Sequence, residues 1–313
     1  MASPLGNKIF QDTTKARAWL EALLWADGRV CGYCGTIEQS TPLPCRDGYY
    51  QCNACRKQFT VMVGTVFERS HIPLNKWLMA AFLLCASKKG MSAHQMHRML
   101  GITYKSAWFM CHRLREAMAP LAGSFGPLGG EGKIVETDTT FIGGKEKNKH
   151  LGKRKAGNIG GMGKQIVHSL VERGGKAVSH HIPSVNGQTL RPILVTQVSR
   201  KSSLMTDTAG GYMQLGKEFA RHEMVDHGAT EYVRGDAHSN SVEGYFSILK
   251  RGIIGTYHHV SEAHLKRYLA EFDFRYSERS AVGVEDAERT TKALKGIVGK
   301  RLTYRRSNQA SYA

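Results

Sequence analysis

The sequence predicts a multi-domain protein of mixed α+β and α/β class, and three observations predict it. Two C-x-x-C pairs lie near the start, the stretch from Pro73 to Ser87 is apolar at helical spacing, and from Lys133 the periodicity changes to that of short strands. The boundaries these changes imply fall at 1–70, an N-terminal helix with the cysteine pairs, at 71–122, at 133–280 and at 281–313, a basic C-terminal tail, with a Gly-, Pro- and Ser-rich linker over 123–132.

The first block is read from its cysteines. Cys31-Gly-Tyr-Cys34 and Cys52-Asn-Ala-Cys55 are separated by 17 residues, a spacing that aims four thiolates at one Zn²⁺. Tyr49 to Gln51 and Lys57 to Val61 read as the hairpins of a zinc ribbon. Cys45 is a fifth thiol inside the loop, either spare or a replacement for one of the four. Cys85 and Cys111 sit in apolar helical contexts and read as small core residues.

In the second block Trp77, Leu78, Ala81, Phe82 and Leu84 form a buried stripe. Ser92 is placed to cap a short helix with Gln95 completing the box, Gly101 breaks it, and Thr103 is placed to cap a second helix carrying Tyr104, Lys105, Arg113 and Arg115. This is a helix-turn-helix-like outline, and Lys105 and Arg113 are its candidate DNA contacts. The same outline also serves as an ordinary packing unit.

The third block reads as strands over Ile134 to Ile142, Gln165 to Glu172 and Lys176 to Ile182, then a helix over Thr189 to Val198 with Pro192 in its first turn. A strand over Ser203 to Asp207, a short helix over Tyr212 to Phe219, a strand over His222 to Asp226 and a long helix over His238 to Ile253 follow. Three strands, helix, strand, helix, strand, helix is the order of an RNase H-like domain, in which the first strand, the end of the fourth and the last helix bring carboxylates together. Asp138, Asp207 and Glu243 occupy those places. Asp207 and Glu243 have 243 − 207 − 1 = 35 residues between them, and Lys250 follows Glu243 by seven. Two strand carboxylates and one from a helix suit a pair of Mg²⁺ or Mn²⁺ ions, which clamp the attacking and leaving oxygens of a phosphodiester. Asn240, Glu243, Ser247 and Lys250 share one helix face, so Lys250, with Arg251 beside it, reaches DNA next to the scissile bond. Glu136, on the same strand face as Asp138, and Asp236, just before the helix, are rival acids.

Composition agrees with a nucleic-acid partner. The 313 residues hold 44 Lys and Arg against 26 Asp and Glu, a net charge of +18 spread through folded-looking sequence. A nucleotide cofactor is not expected: in Gly157-Asn-Ile-Gly-Gly-Met-Gly-Lys164, Asn158 stands where a P-loop needs its first glycine and Gln165 where it needs Ser or Thr. No apolar window approaches the ~18 residues of a membrane span and no secretory h-region precedes Gln11, so a cytoplasmic protein with no membrane partner and reduced cysteines is expected.

Several stretches carry a resemblance. Cys52-x-x-Cys55-Arg-Lys-Gln-Phe-Thr-Val-Met-Val-Gly-Thr-Val-Phe-Glu68, Phe141-Ile-Gly-Gly-Lys145 and His238-Ser-Asn-Ser-Val-Glu243-Gly-Tyr-Phe-Ser-Ile-Leu-Lys250-Arg-Gly-Ile-Ile-Gly-Thr-Tyr-His-His259 are similar to the ISXO-like bacterial insertion-sequence transposases that carry a zinc ribbon. The resemblance covers nearly the whole chain. It implies a DDE-type transposase: one structural Zn²⁺, two catalytic ions, binding of double-stranded DNA at element ends and target, cleavage followed by strand transfer, a homo-oligomer on DNA, and a place at the bacterial nucleoid. It maps the first acid to Asp138 and the second to Asp207. The family's frequent third asparagine nominates Asn240, while the 35-residue spacing, the following lysine and carboxylate chemistry favour Glu243. The sequence also departs from the family, with Thr139 where an acid is expected after Asp138. A metal-dependent nuclease that does not join ends, and a non-catalytic DNA-binding descendant of a transposase, are the alternatives.

Overall fold

In the computed structural model of the chain, the described residues are 4–120, 126–144, 146–154, 157, 161–207, 212, 215–225 and 233–303. They fall into two compact units, one from 4–87, 91–119 and 286–303, the other from 88–90 and the described part of 120–285.

Among the described residues, the first unit joins the ribbon to five α-helices. After α1 (Thr13–Leu24), capped by Asp12, the strands β1 (Ser40–Pro42), β2 (Tyr50–Cys52) and β3 (Gln58–Phe59) pair antiparallel. Tyr50, Cys52, Phe59 and Cys31 form the ribbon's small core, with Trp25 packed edge-on against the Tyr50 and Phe59 rings. Helix α2 (Leu74–Ala86) buries Trp77, Leu78, Ala81, Phe82 and Leu84 as its spacing predicts, and also Leu74, Ala80, Leu83 and Cys85. It is covered on several sides because α1, α4 (Tyr104–Met118) and α8 (Asp286–Lys295) all pack on it. Ser92 Oγ accepts the Gln95 N–H at 3.2 Å to start α3 (Ala93–Leu100), Gly101 ends it at φ 58°, and Thr103 Oγ1 accepts the Ser106 N–H at 3.3 Å to start α4.

The chain after 280 differs from the basic tail its composition predicts. Residues 286–295 form α8, which buries Arg289, Thr290, Ala293 and Leu294. Beyond it Val66 N–H donates to Ile297 O at 3.1 Å, Gly299 N–H donates to Gly64 O at 2.9 Å, and Lys300 Nζ donates to the Ala117 carbonyl at the end of α4. The segment therefore closes the first unit, satisfying backbone groups that follow the ribbon.

The second unit is a five-stranded sheet in the order β6-β5-β4-β7-β8. Strands β4 (Ile134–Ile142), β5 (Gln165–Glu172) and β6 (Ala177–Ile182) are antiparallel neighbours, while β7 (Ser203–Asp207) and β8 (Arg221–Val225) run parallel to β4. Alternate residues feed two cores. On one face Val135, Leu170 and Leu204 meet Leu190 and Leu194 of α5 (Gly187–Gln197). On the other, Val167 and Val171 meet Val242, Tyr245, Phe246 and Leu249 of α6 (Asn240–Gly252) and Leu265, Leu269 and Phe272 of α7 (Glu262–Ser277).

Some elements start or stop elsewhere than the pattern predicts. Helix α5 begins at Gly187 behind an Asn186 cap, which places Pro192 inside it and not in its first turn. Only a 3₁₀ turn, Leu215–Glu218, is described within the short helix expected over 212–219, and Asp226 lies outside the described residues. Within the expected linker, Leu128 is buried and pairs with Val198, adding to the second unit. Helix α6 widens into a π-turn over Ile253–Tyr257; a Cβ on Gly252 would stand 2.7 Å from Lys89 O and 2.3 Å from the Phe272 ring.

Candidate functional site

Two groups of side chains are candidates for holding metal. In the ribbon, each C-x-x-C segment turns on backbone hydrogen bonds, Gly35 N–H to Cys31 O at 2.9 Å and Arg56 N–H to Cys52 O at 3.0 Å. Both turns end in the left-handed region, at Gly35 (φ 75°) and Arg56 (φ 61°). The sulfurs converge: Cys31 to Cys55 is 3.7 Å, Cys34 to Cys52 is 3.6 Å, and all four lie within 4.8 Å of one another. Four sulfurs at ~2.3 Å from a tetrahedral Zn²⁺ are ~3.8 Å apart, so the donor set fits that ion. Cys34 is drawn down to about 6, first by its hydrogen bond with the Thr36 hydroxyl and then by the Thr36 N–H, which favours the thiolate. Cys45 is exposed and outside this cluster.

The second group belongs to the sheet. Strands β4 and β7 pair with Ile134 beside Ser203 and Glu136 beside Met205. Carried two residues further, the same offset brings Asp138 level with Asp207 on one face of the sheet. Asp138 is the fifth of nine residues in β4, where the strand continues past the end of β7; Asp138 Oδ1 accepts the Thr139 N–H at 2.6 Å. Both acids are half-buried. The face they occupy is the one covered by α6, whose Asn240, Glu243 and Lys250 are exposed while Val242, Tyr245, Phe246 and Leu249 are buried. Ser239 Oγ donates to Glu243 Oε1 at 2.8 Å. Among the described residues, Asp138, Asp207 and Glu243 do not close to within 4.8 Å as the four cysteines do.

The rival acids are engaged elsewhere. Asp236 is held bidentate by Arg221, at 2.7 and 2.8 Å, and this guanidinium keeps its carboxyl below the usual range. Glu136 is fully buried and accepts the backbone N–H groups of Ser241 and Val242 at the start of α6. Thr139, which stands where an acid was expected, faces the opposite side of the sheet. Its hydroxyl lies 3.4 Å from the Tyr212 hydroxyl and 3.5 Å from His168 Nδ1, so its identity does not alter the Asp138 face. Burial pushes the His168 imidazole down to about 3 and the Tyr212 phenol upward, leaving both neutral at pH 7.

The alternation of the strands did not reveal a polar cluster beneath α6. Tyr245 OH donates to Asp273 Oδ1 at 2.6 Å, Ser179 Oγ donates to the same oxygen at 2.7 Å, and Ser179 N–H donates to Oδ2 at 2.9 Å. Burial raises the Asp273 carboxyl to about 7 in spite of these donors. Ser179 also meets Ser169, the cross-strand partner of Asp138. An isolated Asp in an amphipathic helix carries no sign of this in sequence.

The candidate DNA contacts differ in surroundings. Lys105 is exposed at the start of α4, and Lys250 and Arg251 are exposed near the end of α6, where Arg251 Nη2 donates to Ser247 Oγ at 2.5 Å. Arg113 is half-buried; it donates to the Glu68 carbonyl at 3.1 Å and stacks over Phe109 at 4.7 Å.

Residues 12–58 match the transposase zinc-ribbon domain, and residues 127–277 match the ISXO2-like transposase domain. Both matches are to domains of insertion-sequence transposases, the larger to the ISXO2-like kind. The ribbon match spans all four clustered cysteines, and the transposase-domain match spans Asp138, Asp207, Asn240, Glu243 and Lys250. An uncharacterized protein in transposable element ISH50 of Halobacterium salinarum is 28% identical over 286 residues, covering 86% of this chain and 92% of the relative. A chain in the cryoEM structure of the simian T-cell lymphotropic virus intasome in complex with PP2A regulatory subunit B56 gamma matches over 76% of this chain and 78% of its own length. Its identity is 12% and its TM-score 0.29, too low to show a shared fold. Among the described residues no helix is long and apolar enough to cross a membrane.

Proposed function

We propose that this chain is the DNA transposase of an insertion sequence, with an RNase H-like catalytic domain that cuts element ends and joins them to target DNA. The observation that carries this reading is the parallel register of β4 and β7, Glu136 beside Met205, which continued by two residues brings Asp138 level with Asp207 on the face that α6 covers. A pair of Mg²⁺ or Mn²⁺ ions held there would supply the Lewis acidity that such phosphoryl transfer needs. Asp138 and Asp207 offer the strand ligands, and an α6 residue, Glu243 in preference to Asn240, the third. Lys250 stands about 10 Å along the helix from Glu243 and, with Arg251, holds the phosphate backbone beside the scissile bond. The four ribbon cysteines hold one structural Zn²⁺. Lys105 opens the second helix of a helix-turn-helix-like pair that reads element ends in double-stranded DNA, and the net charge of +18 favours that partner. The working form is a homo-oligomer on DNA, since two ends must be held together.

The test is strand transfer in vitro with the element's own ends and Mg²⁺. Wild-type protein is expected to nick the ends and join them to a target plasmid, and Asp138→Asn, Asp207→Asn and Glu243→Gln to bind the ends without either reaction. Nicking without joining would make the protein a nuclease. End binding by wild type with no metal-dependent cleavage would leave it a DNA-binding module.

A further inference from the structure

The first turn of α6 rests on a carboxylate that has no exposed surface. Glu136 Oε2 accepts the N–H groups of Ser241 at 2.7 Å and Val242 at 3.0 Å. Its Oε1 accepts the Ser241 hydroxyl at 3.0 Å and Arg173 Nε at 2.5 Å, and lies 3.3 Å from His238 Nδ1. Arg173 also donates to the His238 carbonyl at 2.9 Å, tying the end of β5 to the loop that leads into the helix. A carboxylate so fully occupied by donors is a poor metal ligand, because freeing a lone pair would strand buried N–H groups and a guanidinium. It is well suited to another task. The orphan amides and positive end of the helix dipole are held by a fixed negative charge, and that charge stands on the strand two residues before Asp138.

We propose that Glu136 is a positioning residue: by clamping the first turn of α6 to β4 it sets where Asn240 and Glu243 stand relative to Asp138. Ser241 and Val242 lie between those two residues in sequence, so a shift of the clamped amides moves both. This inference rests on the metal-site reading proposed above. Glu136→Gln keeps the side chain's shape but puts an amide NH₂ among donors, so the turn must move. A displacement of about 1 Å is enough to slow such chemistry about 100-fold, and loss of a group that orients a ligand weakens metal binding by about tenfold or more.

The experiment uses the full chain. Mn²⁺ binding is followed by electron paramagnetic resonance, cleavage of end DNA is followed in single turnover, and amide exchange is followed over 239–246. Glu136→Gln is expected to bind Mn²⁺ at least tenfold more weakly and cleave about 100-fold more slowly, with faster exchange in that segment and unchanged zinc content and DNA affinity. A double mutant separates positioning from a general loss of stability. In the background of whichever of Glu243→Gln and Asn240→Ala abolishes cleavage, Glu136→Gln should weaken Mn²⁺ binding no further. Additive losses, or wild-type Mn²⁺ affinity and cleavage in Glu136→Gln, overturn the proposal. Should Glu136→Gln not fold, Ser241→Ala removes one donor only and is expected to move each readout several-fold the same way; wild-type behaviour there overturns it equally. If wild type and Asp138→Asn bind Mn²⁺ alike, the metal-site reading fails instead. The clamp is then judged by exchange alone, and unchanged exchange in Glu136→Gln refutes it.

Discussion

Replacing Cys52 by Ser tests the ribbon most sharply. Cys52 Sγ is buried and 3.6 Å from Cys34 Sγ, at the point where the four sulfurs meet. A structural Zn²⁺ contributes ~10–16 kcal/mol to the folding of such a module, comparable with or larger than the ~5–15 kcal/mol that stabilises a whole domain. The ribbon's own core is only Cys31, Tyr50, Cys52 and Phe59, with Trp25, Cys55 and Val63 against it. A serine hydroxyl is not a thiolate and does not replace it as a ligand, so the variant is expected to lose its zinc and unfold the ribbon. The assay is zinc by atomic absorption together with tryptophan fluorescence. Trp25 sits 5.5 Å from the Tyr50 ring and 6.1 Å from the Phe59 ring, and its emission should shift to the red as both contacts open. The sheet of the second unit should keep its far-ultraviolet signal. One equivalent of zinc retained in Cys52→Ser would refute the reasoning and point to Cys45 as the fourth ligand.

Further outcomes follow from the surroundings of single residues. Arg113→Ala removes the bond to Glu68 O and the stacking on Phe109, so it should lower the melting temperature by the equivalent of ~1–2 kcal/mol while leaving the preference for element ends; Lys105→Ala should do the reverse, and equal loss on random and end DNA would remove α4 as a reader of sequence. Gly252→Ala forces a Cβ against Lys89 O and should cost ~1–3 kcal/mol in a denaturant melt, and a neutral result would mean that the π-turn relaxes freely. Asp273 keeps its proton up to about 7 when folded but ordinarily only to 3.8, so the folded state binds more protons in between and loses stability as pH rises from about 4 to about 7, by up to roughly 4 kcal/mol. Asp273→Asn should flatten that slope in urea melts across the window, and an unchanged slope would refute the assignment.

Much of this architecture was legible because its signals are local. Cysteine spacing is a geometric constraint in itself, and the strands of a sheet buried on both faces appear as apolar runs between turn residues. The caps at Ser92 and Thr103 were readable for the same reason. What escaped depends on distant partners. Strand parity correctly puts Glu136 on the face of Asp138, which makes it look like a metal ligand, but parity carries no notice of the helix end that occupies it. Helix α8 was hidden because Arg289 and Thr290 fill half of its buried positions, leaving too thin an apolar stripe, and only the partners α2 and α4 make a helix of it. Pro192 lies deeper in its helix than the pattern suggests because Asn186 caps it and Gly187 and Gln188, which carry no apolar signal, form its first residues.

The central claim is that Asp138 and Asp207 hold divalent metal for strand cleavage, and a change of ligand atom tests it most directly. Asp138→Cys and Asp207→Cys each exchange a hard oxygen for a softer sulfur, which Mg²⁺ tolerates poorly and Mn²⁺ better. The account predicts that both variants bind element ends normally, fail to cleave them in Mg²⁺, and recover measurable cleavage in Mn²⁺, whereas Asp138→Ala and Asp207→Ala recover nothing. Cysteine variants that cleave in Mg²⁺ at the wild-type rate would contradict it.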